Sequence, residues 1–171
     1  MRILIISDSH GKNDDVKAVI EQVGMIDGLI HLGDIERGPE YIQSLVKCPT
    51  YMVAGNNDYD LVLPPEQIIE IEHHKILLTH GHRYYVNGGL EHLRQHAVAS
   101  GVQIAMYGHT HVPHRETKDG LTILNPGSIS YPRQEGRQRT FTIMEFDQNG
   151  KVFFSEGVLR SSLKDVYKNL F

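Results

Sequence analysis

The chain has 171 residues, of which 40% are hydrophobic and 22% charged, and a formal net charge of −4. That size and composition fit one globular domain spanning residues 1–171, since domains run to roughly 100–200 residues, and the mildly acidic balance excludes the basic footprint that long nucleic acid or an anionic membrane surface requires. A single cysteine, Cys48, excludes an intramolecular disulfide, a Cys-based zinc finger and an iron–sulfur site, whereas 11 histidines point to imidazole and carboxylate chemistry.

The amino terminus, MRILIISDSH, has a short apolar run, Ile3–Ile6, that falls well short of a signal peptide's hydrophobic region. No stretch nears the about 18 apolar residues of a membrane span, so the expected location is the cytoplasm. Ile3–Ile6 reads as a strand buried on both faces. Val16, Val19, Ile20 and Val23 follow at helical spacing, with Asn13 as the expected cap, Asp14 and Asp15 at the positive end and Gly24 as the stop. Leu29–Leu32 is a second strand. Pro39 opens a helix continued by Ile42, Leu45 and Val46. Tyr51–Ala54 is a third strand, and the strand–helix alternation predicts parallel pairing.

Hairpins dominate the remainder. Gln67–Glu72 and Lys75–Thr79 flank a turn at His73–His74. Leu90, Leu93, Ala97 and Val98 mark a helix that Gly101 ends, before a strand at Ile104–Tyr107. Strands at His114–Lys118 and Leu121–Leu124 flank Asp119-Gly120, a two-residue hairpin signal. Thr140–Phe146 and Val152–Glu156 flank Asn149-Gly150, read as the same signal. Leu163, Val166, Tyr167 and Leu170 predict a short terminal helix. A parallel start followed by hairpins predicts two packed sheets with helices outside.

Five predicted strands end alike. They run into Ser7-Asp8-Ser9-His10-Gly11, Gly33-Asp34, Gly55-Asn56-Asn57-Asp58, His80-Gly81-His82 and Gly108-His109-Thr110-His111. In open α/β sheets, ligands bind beyond the carboxyl ends of the strands. Asp8-Ser9-His10, Gly33-Asp34 and Gly55–Asp58 alone also fit ordinary turns, whereas the paired histidines of His80-Gly81-His82 and Gly108–His111 have few purely structural uses, and metal donors after five successive strands point to a metal site. Oxygen and nitrogen donors of this kind suit Mn²⁺, Fe²⁺, Mg²⁺ or Zn²⁺. Asp8, His10, Asp34, Asn56, His80, His109 and His111 are more donors than one ion uses, and two ions sharing a carboxylate would use them all. Such a pair stabilises both oxygens of an in-line phosphoryl displacement and activates water, so no Ser or Cys nucleophile is required. Cys48 reads as a buried small hydrophobe.

In this order the motifs resemble the calcineurin-like metallophosphoesterase family, and Asn125-Pro126-Gly127-Ser128 is similar to its small bacterial and archaeal phosphodiesterase branch. The resemblance implies an α/β fold, a four-layer α-β-β-α sandwich of two mixed β-sheets flanked by helices. It implies one ion on Asp8, His10 and His111, a second on Asn56, His80 and His109, and Asp34 bridging them. The implied activity is hydrolysis of phosphate esters, commonly diesters, by a hydroxide between two divalent ions. Mn²⁺ is the expected metal, with Fe²⁺, Ni²⁺, Mg²⁺ and Zn²⁺ as alternatives. Asn56 would also lie beside the substrate phosphate.

One position departs from the family. Many members carry His directly after the Asn ligand, to protonate the leaving group; here it is Asn57, a neutral amide that cannot act as an acid. His82 and Asp58 are the nearby candidates for that role. Plainer readings suit other residues: His31 as a core histidine, His73 and His74 as solvated, and His92 and His96 as one face of a surface helix. His114 lies just past the last ligand motif. Tyr84, Tyr85 and Tyr131 are candidates to stack on a base or pack in the core, and Arg83, Arg133, Arg137 and Arg139 to meet a second phosphate. The expected partner is a small phosphodiester or nucleotide-like molecule, and a homodimer is compatible with the apolar edge strands. The alternatives are a phosphomonoesterase or nuclease with the same site, or a catalytically weak binding scaffold.

Overall fold

In the computed structural model, residues 1–160 are described; the terminal helix expected around Leu163–Leu170 lies outside them. The chain alternates strands and helices through β1 (Arg2–Ile6), α1 (Asn13–Val23), β2 (Gly28–His31), α2 (Pro39–Ser44) and β3 (Thr50–Met52). Next come β4 (Glu66–Ile71), β5 (His74–Thr79), two short 3₁₀ turns at His82–Tyr84 and Val86–Gly88, α3 (Glu91–Ala99) and β6 (Ile104–Met106). The hairpins β7 (His114–Lys118) with β8 (Leu121–Asn125) and β9 (Thr140–Phe146) with β10 (Val152–Val158) complete the order.

Two five-stranded mixed sheets result, ordered β10-β9-β1-β2-β3 and β4-β5-β6-β8-β7. Each contains three parallel strands: β1, β2 and β3 in one, β5, β6 and β8 in the other. Side-chain alternation along β1 assigns the layers. Ile3 and Ile5 face the second sheet, meeting Ile76, Leu78, Ile104 and Met106. Leu4 and Ile6 face the other way, onto Val16 and Val19 of α1 and Ile42 of α2. A third apolar layer joins Leu77, Ala105 and Ile123 to Leu93 and Ala97 of α3. Because both faces of each sheet are covered, the central strands read as continuous apolar runs. Each fully buried Leu or Ile contributes about 1.5–3 kcal/mol relative to exposure. The four-layer α-β-β-α sandwich is therefore the observed fold.

Local details differ from expectation in physically clear ways. Helix α1 begins after Lys12 without a side-chain cap; Asn13 is its first residue, and its amide donates to the Arg37 carbonyl at 3.4 Å instead. Helix α2 stops at Ser44, so Leu45 and Val46 pack beyond its end. The β4–β5 turn is Glu72–His73, both at positive φ, one residue earlier than the sequence predicts. Glu72 carries no signal for such a turn and His73 only its tolerance of positive φ, and the register of the buried strand face decides it. His74 is correspondingly in a strand, with Nε2 bonded to the Gly150 carbonyl at 2.9 Å. Asp119-Gly120 is the two-residue turn expected. The β9–β10 connection is instead a five-residue loop, Asp147–Lys151, whose Asp147 side chain accepts from the Asn149 and Lys151 N–H groups. Cys48 is half-buried rather than buried.

Candidate metal centre

The parallel strands of both sheets release their carboxyl ends at the same edge, and the chain segments that follow are stitched to one another. The Asp8 N–H donates to the Gly33 carbonyl and the His10 N–H to the Asp34 carbonyl. The Gly108 N–H donates to the His80 carbonyl, and the Ile129 N–H to the Ser7 carbonyl. Ser128 Oγ donates to the Asp8 carbonyl at 2.8 Å. Asn125 holds the Gly108 carbonyl and the Gly127 N–H, which gives the Asn125–Ser128 segment a structural part in the site. Glycine is required where these segments cross. A Cβ on Gly33 would lie 2.7 Å from the Gly55 nitrogen, and one on Gly108 would collide with Ser7 and Asp8.

Asp8, His10, Asp34 and His111 converge, each offering one ligand atom, with all four atoms within 4.8 Å of one another. Asp8 and Asp34 are buried. The histidines are oriented from behind. His10 Nδ1 donates to Glu36 Oε1 at 2.6 Å, His111 Nδ1 to the Tyr131 carbonyl at 2.6 Å, and His80 Nδ1 to the Leu32 carbonyl at 2.7 Å. With the ring proton committed to Nδ1, Nε2 of each ring presents a lone pair to the centre. His10 Nε2 and His111 Nε2 lie 3.1 Å apart, a repulsive pair of lone pairs unless a cation stands between them. His80 Nε2 is 3.5 Å from Asp34 Oδ2 and 3.9 Å from Asp8 Oδ1. Asp8 Oδ1 and His80 Nε2 are buried without a hydrogen-bond partner among the described residues. Buried polar atoms normally find partners, so these orphaned donor atoms fit a divalent cation.

Electrostatics agree with the geometry. Burial alone would raise Asp8, but the adjacent His111 and His80 imidazoles outweigh it and hold Asp8 below the usual carboxylate range. Asp34 is held down in the same way by His80 and by the Asn57 N–H, against the cost of burial. His80 is the converse: burial pulls it down, yet Asp34 and Asp8 hold it above its ordinary value. Two carboxylates that favour a proton on His80 would equally favour a metal ion in its place.

The remaining predicted site residues lie around this cluster. His109 is partly exposed; its N–H donates to Asp8 Oδ2, and its Nε2 accepts from the Asn87 amide at 2.9 Å. Its ring centroid is 5.1 Å from that of His80. Asn56 is exposed on the turn after β3. Asn57 is the residue that reaches Asp34, through its N–H at 2.9 Å and its side-chain amide at 2.7 Å. His82 is half-buried with Nδ1 unpartnered among the described residues. Burial, the neighbouring imidazoles of His80 and His109, and Arg83 push it down to about 4, so it is neutral at pH 7. Asp58 accepts from the Glu36 and Gly55 N–H groups at 2.7 and 2.8 Å. It clamps two loops together and is not free to give a proton to a leaving group.

Glu36 and Asn87 are absent from the sequence reading. Glu36 could have been suspected from its place two residues after Asp34; Asn87 carries no such signal. His31 is a core histidine, as expected. It contacts Ser9 Oγ at 2.9 Å, its Nδ1 accepts from the Gly33 N–H, and burial pushes it down to about 4. His96 meets Glu66 and the ring of Tyr84, and His92 the ring of Tyr85, both away from the cluster. His114 is exposed beside Glu116.

A sandwich with this cluster at its edge defines a class, the calcineurin-like phosphoesterases. The domain model of that superfamily matches residues 1–149, and the chain belongs to it. It is 31% identical over 150 residues to the Bacillus subtilis protein named "Probable metallophosphoesterase YsnB", covering 87% of this chain and 86% of that one. To the Escherichia coli phosphodiesterase YfcE it is 27% identical over 157 residues, covering 78% and 82%. A solved Streptococcus pneumoniae structure, described as a predicted phosphoesterase, superposes with a TM-score of 0.76 at 30% identity, covering 92% of this chain and 97% of that one. No helix among the described residues is long and apolar enough to cross a membrane.

Proposed function

We propose that this protein is a metal-dependent phosphodiesterase acting on small phosphodiesters. The observation that carries this reading is the four-residue cluster of Asp8, His10, Asp34 and His111, whose imidazole nitrogens face one another with their protons turned away. The phosphodiesterase name of the Escherichia coli relative favours diesters over monoesters.

In this reading Asp8, His10 and His111 would hold one divalent ion, Asn56, His80 and His109 a second, and Asp34 would be shared between them. Mn²⁺ is the first choice for a mixed oxygen and nitrogen set. Bound there, such ions supply Lewis acidity to the phosphoryl oxygens and lower the pKa of an attacking water. The chain's own contribution is preorganisation. Asp8 and Asp34 stay ionised at neutral pH. Glu36, Leu32 and Tyr131 fix three imidazoles in the ligating tautomer. Asn57 pins the Asp34 carboxylate and, being neutral, leaves departure of the alcohol without a titrating acid at that position. Esters with good leaving groups are therefore the favoured substrates.

The test is hydrolysis of bis(p-nitrophenyl) phosphate and p-nitrophenyl phosphate by the full chain with added Mn²⁺ and with chelator. Metal-dependent turnover that favours the diester is expected. Failure of the metal-loaded protein to hydrolyse either ester would overturn the proposal.

A further inference from the structure

The rim beside His10 and His111 carries positive charge that no carboxylate among the described residues answers. Lys12 follows the first ligand segment, its N–H donating to the Ser9 carbonyl at 2.9 Å. Its Nζ lies 3.8 Å from the centroid of the Tyr131 ring. That ring stands edge-on to His10, with centroids 5.3 Å apart. The ammonium is thus no farther from the His10 ring than those two distances laid end to end. Tyr131 is held firmly, since its N–H donates to Ser128 Oγ at 2.7 Å and its carbonyl accepts from His111 Nδ1. Two residues on, the Arg133 N–H donates to the His111 carbonyl at 3.1 Å, which ties the exposed Arg133 to the same ligand segment.

Acidic residues outnumber basic ones in this chain, 21 to 17, and several cations use them. Five of them do so, Arg2 with Glu145, Lys17 with Glu21, Arg94 with Glu116, Arg115 with Glu156 and Arg139 with Asp15, so what sets Lys12 apart is its place over Tyr131 beside the metal ligands. Among the described residues, neither Lys12 nor Arg133 has a carboxylate partner. A lysine over an aromatic ring, with a second cation tied through its backbone to the His111 segment, both beside a site for phosphate esters, form a receptor for an anion. Resting on the phosphodiesterase reading, we propose that Lys12 and Arg133, with Tyr131 as the wall between them and the metal ligands, bind a second phosphate of the substrate. The preferred substrates are then small phosphodiesters that carry an additional phosphate group.

The test uses two matched esters, thymidine 5′-(p-nitrophenyl phosphate) and the same compound bearing a 3′-phosphate. With Mn²⁺ the wild type should show higher kcat/KM on the 3′-phosphorylated ester. Lys12→Met should cut that preference at least about tenfold, the weight of one hydrogen bond to a charged group. Lys12→Arg should keep most of it. Lys17→Met, which removes the same charge from α1, should leave the preference unchanged. A preference unaltered in Lys12→Met, or equal losses on both esters, would overturn the proposal. If the wild type hydrolyses neither ester, the phosphodiesterase reading fails and the anion site is judged by calorimetry. Tighter binding of thymidine 3′,5′-bisphosphate than of thymidine 5′-monophosphate, lost in Lys12→Met, supports it; equal binding by the wild type refutes it.

Discussion

Glu36 offers a sharp test of how the centre is prepared for metal. Its carboxylate accepts from His10 Nδ1 at 2.6 Å, which fixes the tautomer and makes Nε2 a better donor. A hydrogen bond to a charged group contributes about 1.5–3 kcal/mol. The Glu36 side chain is 36% exposed, so solvent screening reduces the charge part, and the lower end applies. Glu36→Gln keeps the length and an acceptor oxygen and loses only the charge, so Mn²⁺ affinity should weaken by several-fold. Glu36→Ala removes acceptor and charge together, and a loss of about 10–100-fold is expected. The Glu36 N–H that binds Asp58 survives both changes, so the loop clamp remains. The assay is calorimetric titration of metal-free protein with Mn²⁺, alongside thermal unfolding in chelator to check the fold. Wild-type affinity in Glu36→Ala would refute the idea that this carboxylate tunes His10.

Asp34→Asn removes the charge that His10 Nε2 and His80 Nε2 face at 3.7 and 3.5 Å; metal-dependent turnover should fall by more than about a hundredfold with the circular dichroism spectrum retained. Asn57→His should restore a proton donor, so a series of aryl diesters should show a flatter dependence of rate on leaving-group pKa than the wild type; an equally steep series would count against the account given for Asn57. His31 has a folded pKa of about 4 against an ordinary 6.5, so it stabilises the fold fully above pH 6.5 and progressively less as pH falls toward 4. Between pH 7 and pH 5 that loss is about 2 kcal/mol, and His31→Gln, unfolded by urea in chelator, should show a correspondingly smaller decline. Gly108→Ala forces a methyl group into Ser7 and Asp8, and urea unfolding should report a loss of about 1–3 kcal/mol.

The layers were legible because apolar runs and helical spacing record burial directly. Ile3–Ile6, Leu29–Leu32 and Ile76–Thr79 announce buried strands, and β1, β2 and β5 follow from them. The strand-end motifs announce where donors gather, since a ligand residue directly after a strand inherits that strand's position. Sequence carries much less about what the donors do to one another. Glu36 binds His10 across 26 positions, and Asn87 binds His109 across 22, and no local pattern encodes either pairing. The same holds for Asp58, whose proximity to Asn56 suggested chemistry. Its two oxygens are spent on backbone N–H groups of two different loops. Lys12 and Tyr131 illustrate the point again, because 119 positions of chain separate two residues that touch. Sheet topology creates all these pairs, and only a folded chain displays them.

Backbone conformation links the residue types at the centre to its geometry. Asp8, His10, Asp34, His109 and His111 all sit at positive φ, between 47° and 68°. For most side chains that region costs energy, but Asp and His enter it several-fold more often than other non-glycine residues. The left-handed step lets a chain leaving a strand fold back on itself within one or two residues, which is how short segments aim several side chains at one point. Asp and His thus meet two demands together, since they ligate divalent metals and they tolerate the backbone that makes ligation possible. Glycine takes the neighbouring positions where two such segments touch, as at Gly33 against Gly55. A β-branched residue at any of the five positions would therefore lose more than a ligand. It would add backbone strain of about 1–3 kcal/mol, which the three apolar layers would have to offset.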